Sequence, residues 1–374
     1  MDIFEILRLA KEKGASDLHM VCSVPPLFRV HGDIRPAEGL PVLRGMDMEQ
    51  AFQHLTTEAQ QADFQRNLEL DFGYDVPEVG RVRCNAARQR GTISMVIRLL
   101  PPDIPELEQL GVPDVCKELV LKRRGLVMVS GPTGSGKSTT LAAMINYLNH
   151  TEYRRVVTME DPIEYVYQSA NCTITQRELG ADTHSFADAL KHVLRQDPDV
   201  ILVGELRDLE TASAALTVAE TGHLVLTTGH APSAAQAIER ITDLFPPHER
   251  HMAQSQLASL LVGILCQALV PKTDGSGRVA AVEVLLANSA VRNLIRDGKV
   301  FQIPNAMRMH TQAGMQLLDQ SLLKLFRKGI ISSDSLFSFC NDKEEIAKLS
   351  GMEVPAAHAS LEQASEESVA SGLF

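Results

Sequence analysis

No apolar run in the sequence is long enough to cross a bilayer. The longest strongly apolar stretch, Leu257 to Cys266, is interrupted by Ser259 and stops at Gln267. A spanning helix needs roughly 18 to 20 such residues, so a buried helix is the expectation there. Residues 1–20 lack a basic start, a long apolar core and a small-residue cleavage site, and set Asp2, Glu5, Arg8 and Lys11 among apolar positions. That pattern leads to the expectation of no secretory signal peptide and of a cytoplasmic protein. No two of the six cysteines form a Cys-x-x-Cys pair, so neither a zinc knuckle nor a disulfide framework is indicated. A basic excess is missing as well: 36 Lys and Arg face 47 Asp and Glu, for a net charge of -11. Nucleic-acid binding relies on phosphate neutralisation by clustered cations, so no nucleic-acid partner is expected.

What is present is the composition of a folded protein, 44% apolar and 22% charged over 374 residues, a length that favours two domains. Ile3, Ile6, Leu7 and Ala10 fall on one helical stripe that Gly14 ends. Strand-like runs follow at Asp17–Cys22, Pro26–Val30, Arg81–Arg90 and Thr92–Leu100, with helical segments around Met48–His54 and Glu58–Arg66. These predict a small α+β domain over residues 1–100. Pro101, Pro102 and Pro105 can continue neither a helix nor a central strand, so residues 101–113 read as a linker. Over residues 114–354, apolar strands at Leu126–Ser130, Val156–Glu160, Val200–Val203, Leu224–Thr228 and Val279–Leu286 alternate with helical segments, which predicts an α/β sheet layered by helices. Residues 355–374 hold twelve Ala, Ser or Glu, little to bury, and are expected to form a disordered tail.

The segment Gly131-Pro132-Thr133-Gly134-Ser135-Gly136-Lys137-Ser138 satisfies G-x-x-x-x-G-K-[ST], and it lies between a strand and a helix predicted over Ser138–Leu148, where such a loop works. Its backbone N–H groups and the helix N-terminus favour phosphate oxygens. Lys137 reaches the β- and γ-phosphates, and the Ser138 hydroxyl suits a Mg²⁺ ion; ATP and Mg²⁺ are therefore the expected ligands, with Thr139 completing the loop. Phosphoryl transfer also needs carboxylates that hold metal or orient water. Two apolar strands deliver acidic residues at their carboxyl ends, one running into Glu160, Asp161 and Glu164, the other into Gly204 and Glu205. The second resembles a Walker B element with Glu where Asp is commoner. A third strand, Leu224–Thr228, is bracketed by His223 and His230; a neutral imidazole at a strand end hydrogen-bonds phosphate or water, and His230 is the better placed.

With those residues in view, the chain resembles the type II/IV secretion ATPase superfamily, and within it the type IV pilus retraction ATPases of the PilT family. The resemblance covers about residues 1–350. It is carried by Gly14-Ala15-Ser16-Asp17-Leu18-His19, GPTGSGKSTTLAA at 131–143, EDPIEY at 160–165, RQDPDVILVGELRDLET at 195–211 and AETGHL at 219–224. It implies a PAS-like N-terminal domain and a RecA-like P-loop ATPase domain, assembled as a homohexamer on the cytoplasmic face of the pilus machine against its inner-membrane platform protein. It further implies that Glu164 activates water, that Glu205 stands near Mg²⁺ with Ser138, and that His223 and His230 form a His box; either glutamate fits either role at this level. Arg81, Arg83, Arg88, Arg90 and Arg98 look like arginines that relatives present across a subunit boundary, although their spacing also fits an exposed sheet face.

Ala290-Val291-Arg292-Asn293-Leu294-Ile295-Arg296 resembles the AIRNLIR motif of retraction ATPases, which favours retraction over assembly. If that helix is peripheral to the core, replacing Leu294 and Ile295 should separate hydrolysis from motion. One departure stands out: where the family commonly reads ATLHTNSA, this chain has Thr227-Thr228-Gly229-His230-Ala231-Pro232-Ser233-Ala234. The competing readings are a pilus assembly or type II secretion ATPase, an accessory nucleotide-binding ring with little turnover, and a DNA-translocating motor. The first commonly carries a longer N-terminal region and a four-cysteine zinc element, neither seen here, and the acidic balance disfavours the last.

Overall fold

The computed structural model of the chain describes residues 2–30, 32–100 and 103–355. Pro101 and Pro102 of the expected linker, and the expected tail from residue 356 onward, lie outside them. The chain packs as two units, one formed by residues up to Ile104 together with Glu160–Gln168, the other by Pro105–Met159 together with residues from Ser169 on. Among the described residues no helix is long and apolar enough to cross a membrane.

The first unit starts with the helix Ile3–Glu12, whose N-cap Asp2 accepts a hydrogen bond from the Phe4 N–H at 2.9 Å and whose Ile3, Ile6, Leu7 and Ala10 are buried. Gly14 ends it at φ +66°, a left-handed conformation that glycine adopts without a Cβ clash. Six strands follow: β1 (Asp17–Met20), β2 (Leu27–Val30), β3 (Asp33–Pro36), β4 (Glu69–Val76), β5 (Gly80–Gln89) and β6 (Thr92–Leu99). They form an antiparallel sheet in the order β3-β2-β1-β6-β5-β4. One face buries Leu18, Met20, Val82, Cys84, Ala86, Ile93, Met95 and Ile97 with the apolar residues of helices Ile3–Glu12, Gly45–Leu55 and Glu58–Asn67. Strands β3 and β4 are absent from the sequence expectation. All four residues of β3 are exposed, so it has no alternation to read, and Gly73 interrupts the period-two series of β4.

The second unit carries β7 (Gly125–Ser130), β8 (Arg155–Glu160), β9 (Thr173–Glu178), β10 (Val200–Glu205), β11 (Leu224–Thr228), β12 (Leu261–Pro271) and β13 (Arg278–Leu286), ordered β13-β12-β7-β11-β10-β8-β9. Strands β12, β7, β11, β10 and β8 run parallel and β13 pairs antiparallel with β12. Every residue of β7 is buried, as expected of a parallel strand covered on both faces.

The apolar stretch Leu257–Cys266 is not one buried helix. It breaks at Leu260, where the helix Arg250–Leu260 gives way to β12. The guanidinium of Arg292 donates to the carbonyls of Ala258, Ser259, Leu261 and Ala287, which satisfies carbonyls that a helix end leaves open and holds the junction. Periodicity alone cannot separate a buried helix from a buried strand in such a run.

The helix Ser289–Arg296 is likewise not peripheral. Val291 and Ile295 are both 0% exposed and belong to the main core, with Leu294 packed against it. Truncating a buried Ile of this kind costs about 2–5 kcal/mol, so the Leu294 and Ile295 replacements would test folding rather than coupling. The exposed side is formed by Ser289, Ala290, Asn293 and Arg296.

Candidate active site

The phosphate loop leaves β7 at Ser130, and the helix Lys137–Thr151 begins behind Gly136 at φ +88°. Two of its glycines are dictated by the neighbouring strand. A Cβ on Gly131 would stand 2.3 Å from the Gln267 carbonyl oxygen, and one on Gly136 would stand 2.9 Å from the Gln267 Nε2. Gly134, at φ +78°, has open space around it, so its requirement is conformational and leaves the loop's backbone accessible. Lys137 folds over the loop and its Nζ donates to the carbonyls of Gly131 at 2.8 Å and Pro132 at 3.1 Å. The Ser135 hydroxyl is buried with no hydrogen-bond partner, a polar group inside the loop for which a phosphate oxygen would be a suitable acceptor.

Parallel pairing brings three strand ends to the same edge. Thr228 of β11 lies opposite Val129 of β7, and Gly229 N–H donates to the Val129 carbonyl at 3.0 Å. His230 therefore stands one strand away from the phosphate loop, and Glu205, at the end of β10, two strands away, a spacing of about 10 Å between strand axes. The β10–β11 register shifts between Val203 and Glu205, so Glu205 rather than Gly204 pairs with Thr228. His230 Nε2 lies 3.2 Å from Glu205 Oε2, while Arg207 pairs with Oε1. Glu205 is well shielded, with its side chain 14% exposed, against 46% for His230.

His223 does not join them. It precedes β11, which spans about 16 Å, and its carbonyl accepts from Gly125 N–H at the opposite edge of the sheet. Its Nδ1 lies 3.0 Å from the Thr221 hydroxyl and 3.1 Å from the Val218 carbonyl, contacts that close the helix Leu209–Glu220. Within one chain the expected His box is thus divided between the two ends of β11.

Glu164 is half-buried in the segment after β8, beyond the cis Asp161–Pro162 peptide, and packs as part of the first unit. The arginines divide between the two faces of the first sheet. Arg81 and Arg83 alternate with buried Val82 and Cys84 and so lie on the outer face. Arg98 opposes Arg83 directly and in turn opposes Asp17. Arg98 Nε donates to Asp17 at 2.9 Å and Arg29 lies 3.8 Å from the same carboxylate. Burial pushes the Asp17 carboxyl up, but hydrogen bonds from Arg98 and Ser16 outweigh it and leave it below its ordinary value. Arg81 is held by Asp75 at 2.8 Å and by the Ile163 carbonyl at 3.3 Å. Arg88 lies over the Phe64 ring and pairs with Glu49. Arg90 forms the hairpin tip with Gly91, both at positive φ, the signature of a tight type I′ turn.

Sequence reading missed the support beneath the loop. Thr140 Oγ1 donates to Gln267 Oε1 at 2.9 Å, and Ser130 Oγ donates to the Ala231 carbonyl at 2.7 Å. A polar Gln267 closing an apolar run was the available signal; nothing local singles out Ser130. For a divalent cation the available donors are hard oxygens, the Ser138 hydroxyl and the Glu205 carboxylate. Among the described residues no group of three or more His, Cys, Asp or Glu is placed to hold a metal. Mg²⁺ takes one or two protein oxygens with the remainder from phosphate and water, and a hydroxyl and a carboxylate are oxygen donors of that kind.

A phosphate loop on a mainly parallel sheet, with a carboxylate and an imidazole at the adjoining strand ends, defines a P-loop nucleotide-binding protein. The family model described as type II/IV secretion system protein matches residues 80–337, and the chain belongs to that family. It is 47% identical over 335 residues to the type IV pilus retraction ATPase PilT of Pseudomonas aeruginosa, covering 90% of this chain and 97% of the relative. With the type IV pilus ATPase PilU of the same organism it shares 42% identity over 363 residues, 96% of this chain and 94% of that one. The crystal structure of the pilus retraction motor PilT with bound ADP matches at a TM-score of 0.86 and 43% identity, covering 92% of this chain and 98% of the other.

Proposed function

We propose that this chain is the ATP-hydrolysing subunit of a homohexameric motor that powers retraction of type IV pili from the cytoplasmic face of the inner membrane, docked on the platform protein of the pilus machine. The observation that carries the hydrolytic reading is the row of strand ends that sets the phosphate loop, His230 and Glu205 side by side. Kinship with retraction ATPases carries the rest. Residues 131–139 cradle the phosphates, with Lys137 neutralising them. Ser138 and Glu205 would hold Mg²⁺, whose chemistry when bound is to neutralise charge on the phosphate oxygens. Glu164 orients the attacking water, and His230, hydrogen-bonded to Glu205, reports on the state of the phosphate.

Three measurements test this reading. In a strain lacking the gene, pili should extend without retracting, and the intact gene should restore retraction. Arg296→Glu on the exposed side of the helix Ser289–Arg296 should leave ATP turnover within about threefold and fail to restore retraction; full restoration would show that this face transmits nothing. Negligible steady-state turnover by the purified parent protein would instead favour the accessory-ring reading.

The outward arginines Arg83 and Arg98 are the proposed contributors to a neighbouring subunit's phosphates. Rings of Arg83→Ala subunits and rings of Lys137→Ala subunits should each turn over poorly, and mixed rings should recover activity at sites that combine an intact loop with an intact arginine. Absence of recovery at every mixing ratio, for Arg83 and for Arg98, would rule out a shared site.

A further inference from the structure

Glu283 is a carboxylate on β13 that is only 3% exposed, and none of the chemistry assigned above uses it. Its Oε1 accepts from the Ala234 N–H at 2.7 Å and its Oε2 from the Leu318 N–H at 3.3 Å. Ala234 and Leu318 are the first residues of the helices Ala234–Asp243 and Leu318–Arg327, so each N–H is one that its own helix cannot satisfy. An ionised carboxylate is an acceptor at both oxygens and is favoured at a helix N-terminus, which is why one side chain serves two helices from different parts of the chain.

Glu283 also belongs to a row. It lies opposite Cys266 on β12, and Cys266 lies opposite Ser130 on β7. The two ends of this row grip the same short segment, Ser130 Oγ at the Ala231 carbonyl and Glu283 Oε1 at the Ala234 N–H. On its other side, His230 is preceded by Gly229, whose N–H is held by the Val129 carbonyl. A Cβ on Gly229 would stand 3.0 Å from Ser130 Oγ and 3.1 Å from Met128 Sδ, so the missing side chain at this position lets the loop lie against the row. Pro232 narrows the remaining freedom between the two grips. Burial, helped by the nearby Asp319, holds the Glu283 carboxyl above its ordinary range despite the two backbone N–H groups that pull it down.

We propose that Glu283, with Ser130, is a positioning residue for the loop 229–234: the two side chains fix the backbone on either side of Pro232 and thereby set where His230 meets Glu205 and the phosphate. The second oxygen of Glu283 ties the same loop to the helix Leu318–Arg327. This rests on the reading of His230 given above.

The test is a double-mutant cycle on the assembled enzyme. Glu283→Gln keeps the volume but has one acceptor for two N–H groups, and Ser130→Ala removes the Ala231 grip, with the Cys266 contact, while leaving Glu283 in place. Each should lower kcat about 5- to 50-fold with KM for ATP changed less than about threefold, and neither should lower kcat beyond His230→Ala when combined with it, the non-additivity of residues acting through one another. Parental kcat in both variants, or losses that multiply with that of His230→Ala, would overturn the proposal. If Glu283→Gln does not assemble, Ser130→Ala in the same cycle decides. Parental turnover by His230→Ala itself would remove the reading of His230 and the proposal together, an outcome distinct from a defect in His230→Ala that the other two variants fail to share.

Discussion

Lys137→Ala is expected to abolish productive ATP turnover while leaving a folded protein. The ammonium sits inside the loop, bonded to the Gly131 and Pro132 carbonyls, at the height of the phosphates that the loop would cradle. Truncating one side of a shielded charge contact costs about 2–5 kcal/mol, which lowers kcat/KM about 30-fold to several thousand-fold. Lys137 is half-buried and lies outside the set of buried apolar residues, whereas Leu141–Ile145 and Leu148 of the same helix are buried. The thermal midpoint should therefore move by a few degrees at most, on the order of a surface substitution. Steady-state hydrolysis and a thermal melt on the same preparation check both halves. Near-normal hydrolysis would refute the assignment of the loop.

Glu164→Gln should behave in the opposite sense toward nucleotide: binding persists and chemistry stops. The phosphate contacts proposed for residues 131–139, and those of Ser138 and Glu205, do not involve Glu164. Loss of a positioned carboxylate that orients or deprotonates the attacking water costs about 10²- to 10⁴-fold in rate, about 3–5 kcal/mol in barrier. The amide preserves size and half-burial, so the segment after β8 keeps its packing around Pro162, Ile163 and Tyr165, all buried. Nucleotide affinity by calorimetry should stay within about threefold of the parent, about 0.7 kcal/mol, while single-turnover hydrolysis collapses. If affinity collapses with it, Glu164 is holding the segment together rather than handling water, and Glu205 becomes the better candidate for the water.

Local features carried the sequence reading a long way. The stripe Ile3, Ile6, Leu7 and Ala10 became the buried face of the first helix, and Leu224–Thr228 became β11 with the bounds expected. Where the reading stopped, the cause is physical in each case. An edge strand exposed at all four positions, such as β3, shows no alternation. A run that is apolar throughout, such as Leu257–Cys266, reads equally as helix or strand until its neighbours are known. The two histidines bracketing β11 look equivalent in sequence, yet strand direction sends His223 to one edge of the sheet and His230 to the other.

By itself the sequence determined the phosphate loop, the acidic strand ends and the helical stripes, because each depends on residue types at short, fixed spacing. Only the tertiary structure decided what surrounds them. It set Gly131 and Gly136 against Gln267, placed His230 rather than His223 beside Glu205, and drove Ile295 into the core. It also brought Ser130 to Ala231 and Thr140 to Gln267, pairs 101 and 127 positions apart. Those outcomes rest on strand order and on contacts between distant residues, which no local pattern encodes.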